Sequence, residues 1–307
     1  FYIVSSHSGV PDLLLDALPV IDLLEITGNT SAVAQLTERD QSSVSRIYRQ
    51  ASERLGLEFG KRESGHYRAG ANQTLLQELR RSSQRLRLHL PASLRWLGCR
   101  WSPPPGDGAA SPQPLRHQWR CRQLVCQQVR DHLLDLAVLP GLDLLPEGVC
   151  PNAPPAEIPL ECGCLVALPV LRQPMRLAAA NGHPLHDQAD LSSADLRHWP
   201  LQLAEGAGGP ASHHRQMLEA QGLTLVNRRD QTPEAAPVQL LPALELEMLS
   251  QAEGLRPLAL NIGLEDVDIL VVRRDLRDDP AVRALITAVV ESYRRCFGQR
   301  DDLQLLR

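Results

Sequence analysis

Within six positions, Gln41-Ser42-Ser43-Val44-Ser45-Arg46 gathers four neutral hydrogen-bonding side chains and one cation. Arg and Gln are the side chains that can bond in pairs to the edges of guanine and adenine, and a hydroxyl can donate or accept. Such a run is either a serine-rich loop or one face of a helix that reads a polar surface. No rival chemistry is as well assembled. His183, His186, His213 and His214 could move protons, but no Gly-x-Ser-x-Gly elbow, phosphate-binding loop or His-Glu-x-x-His accompanies them, so the chain is not expected to be an enzyme. Seven cysteines at irregular gaps argue against a disulfide framework and for reduced thiols. Cys162-Gly163-Cys164 lacks the second pair of a zinc site, and neither a metal nor another cofactor is expected.

The flanking residues decide between loop and helix. Leu18 to Thr27 has a helical apolar stripe, with Pro19 in its first turn and Gly28-Asn29 to stop it. Thr30 or Ser31 can cap a short helix over Ala32 to Thr37. A third helix runs from Asp40 or Gln41 to Leu55, with Val44, Ile47, Ala51 and Leu55 at helical spacing and Gly56 as its end. Three short helices in about 40 residues, the last two joined by a tight polar turn, form a helix-turn-helix. With Val44, Ile47 and Ala51 turned inward, Gln41, Ser42, Ser45, Arg46 and Arg49 face outward.

Charge supplies a partner for that face. The chain carries a formal −4, yet residues 36–90 hold eleven basic side chains against six acidic ones, a local +5. A basic segment on an acidic body is the asymmetry expected of a chain with one end on a polyanion. A solvated charged helix face is the alternative that charge alone leaves open. "FGKRESGHYR" (59–68) suits a basic hairpin, or wing, touching the phosphate backbone or minor groove. Asn72 to Leu90 is a long helix whose Leu75, Leu76, Leu79, Leu86 and Leu90 make a seam of the kind that packs on a partner helix, and Pro91 ends it.

Beyond residue 93 the pattern alternates. Strands are expected at 94–101, 115–121, 134–139, 164–170, 175–180, 199–204, 223–227, 255–260 and 267–274, and helices at 122–133, 192–197, 210–221 and 280–297, an α/β pattern with largely parallel sheets. A composition of 43% apolar and 22% charged residues is that of a soluble globular protein. No apolar run is long enough to span a membrane, and "FYIVSSHSGVPDLLLDALPVIDLL" makes a poor signal peptide, so a cytoplasmic protein without a membrane partner is expected.

Gly28-Asn29-Thr30-Ser31-Ala32-Val33-Ala34, Gln41-Ser42-Ser43-Val44-Ser45-Arg46 and Leu55-Gly56-Leu57 together resemble the winged helix-turn-helix of LysR-type transcriptional regulators. Leu134-Asp135-Leu136-Ala137-Val138, His183-Pro184-Leu185 and Asp195-Leu196-Arg197-His198-Trp199-Pro200-Leu201 resemble later elements of the family in the same order. The resemblance implies an N-terminal all-α winged helix-turn-helix (1–70), a long linker helix that dimerises (71–92), and a C-terminal α/β two-subdomain periplasmic-binding-protein-like domain (93–307). Subdomain I would take about 93–165 and 262–307, and subdomain II about 166–261. The implied partners are double-stranded promoter DNA, further copies in a homodimer or homotetramer, and a small-molecule effector. DNA contacts fall to Ser31, Gln41, Ser42, Ser43, Ser45, Arg46, Arg49 and Arg62, with Arg49 and Arg62 suited to phosphate.

The chain departs from the family pattern at Ser42, which stands where proline is usual, at Thr30 in place of an aromatic residue, and at Gln73 in place of glycine. Ser102, Ala204 and Glu205 occupy the effector-contact positions, but "PPPGDGAASPQP" follows Ser102 where a ligand-holding helix should begin. "DQTPEAAPVQ" also replaces a glycine-rich stretch. The effector response is therefore expected to be altered or lost. A solute-binding protein would share the second half without the basic first 90 residues.

Overall fold

The computed structural model describes residues 12–62, 65–90, 93–106, 115–116, 122–141, 144, 154–160, 163–203, 213–220, 222–226 and 237–307. The chain forms two compact units, one of residues up to Leu94 with Arg130–Leu134, the other of Arg95–Val129 with Asp135–Arg307.

In the first unit a π-helical turn, Leu13–Ala17, leads into α1 (Leu18–Thr27), with Pro19 in its first turn where a missing N–H costs nothing. Gly28, at φ 66°, ends α1 and donates to Leu24 O at 2.8 Å. The residue after it is the cap that sequence reading misplaces. Asn29, rather than Thr30 or Ser31, accepts from Ser31 N at 2.8 Å, so α2 begins at Thr30 and runs to Leu36. α3 (Gln41–Leu55) is capped by Asp40 and closed by Gly56 at φ 58°. Val44, Ile47 and Ala51 are buried as their spacing predicts. Truncating Ile47 to alanine would cost roughly 2–5 kcal/mol.

A two-stranded antiparallel hairpin, β1 (Gly60–Lys61) and β2 (Tyr67–Arg68), follows in register Gly60 to Arg68. Tyr48 of α3, Phe59 and Tyr67 pack with ring centroids 5.8–6.1 Å apart, so aromatic contacts hold the hairpin on α3.

α4 (Gln73–His89) has the expected extent, but its buried face is not the leucine seam. Leu76 and Leu88 are buried beside Arg80, Ser83, Gln84 and Arg87, while Leu75, Leu86 and Leu90 stay exposed. A polar face can be buried here because it is partnered. Arg80 Nε lies 2.8 Å from Asp22 Oδ1 and its Nη2 2.7 Å from Glu25 Oε2, and Arg87 Nη2 donates to His132 O at 2.8 Å. Burial tends to lower the Arg80 guanidinium pKa, but Asp22 and Glu25 outweigh it and raise it. Burial also pushes the Glu25 carboxyl up, against the pull of Arg80.

The second unit is built on a mixed sheet in the order β4 (Leu115–Arg116), β3 (Trp96–Gly98), β5 (Leu136–Pro140), β12 (Glu265–Arg273), β7 (Leu165–Ala180), β10 (Val238–Pro242), β8 (Leu201–Leu203), β9 (Leu225–Val226). Pairing is parallel within β4-β3-β5 and β10-β8-β9, but every pairing of β7 and β12 is antiparallel, which corrects the expectation of largely parallel sheets. The strands expected at 164–170 and 175–180 are one continuous strand. Its first part pairs with β12 as far as Pro174 and its last part with β10 from Met175, so it passes from one half of the sheet to the other. Pro169 lies beside a bulge that skips Val170, where a missing N–H is tolerated.

Short strands β6 (Ile158–Leu160), β11 (Leu255–Pro257) and β13 (Gln304–Leu305) add to β7, and α5 (Arg122–Arg130), α6 (Ser193–Leu196), α7 (His213–Ala220), α8 (Ala243–Glu253) and α9 (Pro280–Phe297) complete the unit. β6, β10, α8 and β13 were not anticipated, whereas α9 runs over the expected residues. The core around β7, β8 and β10 is mostly leucine, with Leu201, Leu218 and Leu240 almost fully buried.

Candidate nucleic-acid interface

The N-terminus of α3 is organised by Asp40. Its carboxylate accepts from Ser43 N at 2.8 Å, Ser43 Oγ at 2.6 Å and Ser42 Oγ at 2.5 Å. The Ser42 and Ser43 hydroxyls hold its carboxyl pKa well below the usual range. Both serines spend their hydroxyl hydrogens on Asp40, which leaves their oxygens as acceptors. Gln41 Nε2 donates to Thr30 Oγ1 at 2.7 Å, joining the start of α3 to the start of α2.

Gln41, Ser42, Ser45, Arg46 and Arg49 share one open, shallow face with Gln50 and Glu53. Gln41, Ser42, Arg46 and Arg49 are exposed, and Ser43 and Ser45 are partly covered. Among the described residues Arg46 makes no ion pair. Arg49 rests over the Tyr48 ring, 5.8 Å from its centroid. Gln50 is a member of this face that sequence reading missed, although its place four residues after Arg46 is a usable signal.

Ser31 is exposed in the first turn of α2, with its N–H bonded to Asn29. Arg62 follows β1, and its Nη2 donates to Glu58 O at 2.9 Å. Gly65, at φ 80°, turns the chain between Arg62 and His66, and Lys61, Arg62 and Arg68 are exposed along the hairpin. The interface candidates therefore belong to one unit and lie on α2, α3 and the hairpin.

The effector candidates fare differently. Ala204 and Glu205 lie outside the described residues. Ser102 does not begin a helix, since residues 99–106 contain none among those described. Its Oγ lies 2.8 Å from the Tyr293 hydroxyl. Tyr293 in turn donates to Asp268 Oδ2 at 3.3 Å, Trp101 Nε1 donates to the same oxygen at 2.7 Å, and Gln173 Nε2 donates to Oδ1 at 3.1 Å. Burial raises the Asp268 pKa to about 7, with the Trp101 bond opposing the rise and Asp266 adding to it. His183 is the buried cap of the turn Pro184–Asp187, where its Nδ1 accepts from Leu185 N at 3.2 Å, so its role is structural. Among the described residues no group of histidine, cysteine and carboxylate side chains could hold a metal ion, and no helix is long and apolar enough to cross a membrane.

No protein-family profile matches the chain, and no curated protein sequence matches it. Among solved structures, PA0477 from Pseudomonas aeruginosa, described as a probable transcriptional regulator, aligns at TM-score 0.53 and 16% identity, covering 89% of this chain and 95% of its own. CbnR, described as a LysR family transcriptional regulator, aligns over 90% of this chain and 98% of its own at 13% identity and TM-score 0.46. A full-length point mutant of OxyR from Pseudomonas aeruginosa covers 93% of this chain and 95% of its own at 14% identity and TM-score 0.46. Over 89% of its length the chain shares the fold of PA0477, and that fold is built here from a winged helix-turn-helix, a long helix and an α/β domain.

Proposed function

We propose that this protein is a cytoplasmic transcription regulator that binds promoter DNA as a homo-oligomer and catalyses no reaction. The observation that carries the reading is the exposed face of α3, whose readers Gln41, Ser42, Ser45 and Arg46 project from a helix held by buried Val44, Ile47 and Ala51. A helix so anchored can enter the major groove with its N-terminal residues at base edges. Arg46 is suited to guanine and Gln41 to adenine, while the acceptor oxygen of exposed Ser42 suits donors on adenine or cytosine. Ser31, Arg49 and Arg62 flank this face and suit phosphate, which fixes position rather than sequence. The fold shared with a probable transcriptional regulator agrees with this reading.

In this reading residues 1–70 bind DNA, 71–92 join two copies, and 93–307 form the regulatory domain, with subdomain I at about 93–165 and 262–307 and subdomain II at about 166–261. Exposed Leu75, Leu86 and Leu90, with half-buried Leu79 between them, lie at spacings of four, seven and four and suit a second copy of the same helix. The engagement of Ser102 by Tyr293 supports an effector response that is altered or lost at that position.

Equilibrium binding of purified protein to promoter duplexes tests the reading. Affinity should fall about a hundredfold or more between roughly 50 and 200 mM salt, because phosphate contacts release counterions. Binding of a small molecule with no salt-sensitive duplex binding would reject it in favour of a solute sensor.

A further inference from the structure

The face that α4 buries is set by charge rather than by its leucines. Arg80 is 4% exposed and Asp22 is fully buried, and the guanidinium bonds Asp22 through Nε and Glu25 through Nη2. Arg68 of β2 also reaches this site, its Nε 3.9 Å from Glu25 Oε1. α1 therefore ties together the long helix, through Asp22 and Glu25, and the hairpin, through Glu25. It also packs directly on α2 and α3.

A purely apolar contact between α1 and α4 would tolerate sliding. A forked ion pair does not, since a slip of one residue moves a helical side chain about 1.5 Å along the axis and about 100° around it. Such a slip would leave Asp22 charged and buried without its partner. Buried polar groups of this kind are best attested as devices that select one register.

From this geometry we infer that Arg80, gripped by Asp22 and Glu25, is a positioning residue that sets the spacing between the two DNA half-sites the protein reads. The inference rests on the reading that two copies join along the exposed leucines of α4 and bind duplex DNA. In such a pair, the angle between α1 and α4 fixes how far apart the two α3 helices stand. Half-site separation on the duplex follows from that distance.

The test is a duplex library in which the half-site selected by the wild-type protein is repeated at every spacing over about two helical turns. Wild type should prefer one spacing by about tenfold or more. A variant carrying Asp22→Leu, Glu25→Gln and Arg80→Met fills the same space without the ion pair. It should keep single half-site affinity within about threefold and lose most of the spacing preference. Unchanged spacing preference in that variant overturns the inference, as does loss of single half-site binding in a variant that still melts cooperatively, because Arg80 would then support the reading head itself.

Should the triple variant fail to fold, Arg80→Lys keeps the charge but not the fork. It should broaden the preference by about threefold or more, and an unchanged profile there also overturns the inference. Wild type that binds half-sites specifically at any spacing refutes the inference and leaves the DNA reading standing, whereas no specific duplex binding at all refutes the DNA reading itself.

Discussion

The hydroxyl of Tyr293, in α9, lies 2.8 Å from Ser102 Oγ and bonds the buried carboxylate of Asp268 in β12. Ser102, which the family resemblance implied as an effector contact, is thus bonded by a residue of α9. The same carboxylate receives Gln173, whose Oε1 accepts from Leu244 N at 3.1 Å, at the start of α8. Gln173 lies next to the point where β7 exchanges β12 for β10, so one hydrogen-bonded chain spans that exchange.

Asp268 should make stability depend on pH. Its folded pKa of about 7 lies above the ordinary value of 3.8, so between those values the folded chain keeps a proton that the unfolded chain releases. Stability from this group is full below pH 3.8 and is lost as pH rises through 7, at roughly 1.4 kcal/mol per unit inside the window. Melting curves of wild type and Asp268→Asn from pH 5 to 8 should show a steeper fall for wild type. Parallel curves would remove Asp268 as the source.

Tyr293→Phe removes one donor from Asp268 and the partner of Ser102, and should cost about 1–3 kcal/mol in urea unfolding. Adding Ser102→Ala should cost little more, because both changes break the same network. Fully additive losses would mean that the two hydroxyls act independently.

Arg46→Ala and Arg62→Ala should separate base reading from phosphate contact. The first should reduce discrimination between operator and random duplex by about 1–3 kcal/mol. The second should weaken both duplexes alike and lower the salt slope by about 1. The assignment of Arg46 fails if its loss leaves discrimination intact.

Leu75→Glu combined with Leu86→Glu places charge on a stripe that is 43% and 44% exposed at those positions. Light scattering should show the association of full-length protein weakened by about tenfold or more, with the melting of the isolated chain little changed, since neither side chain is buried in it. An unaltered oligomer would place the self-contact elsewhere.

Local sequence was enough to specify α1, α3 and α9, because helical periodicity and the stops Gly28 and Gly56 act within a turn or two of the residues concerned. It was also enough to say which side of α3 faces out, since Val44, Ile47 and Ala51 leave one apolar stripe to bury. The cap Asn29 was legible in principle, but Thr30 and Ser31 beside it are equally good cap types. Periodicity could not choose the face of α4. An arginine is buried there only because carboxylates 58 and 55 residues earlier in the chain meet it. Nor could it show β7 as one strand, because Pro174 reads locally as a break, and only the change of pairing partner beside it accommodates it. The partner of Ser102 comes from 191 residues away, a contact that exists only once α9 has packed in the second unit.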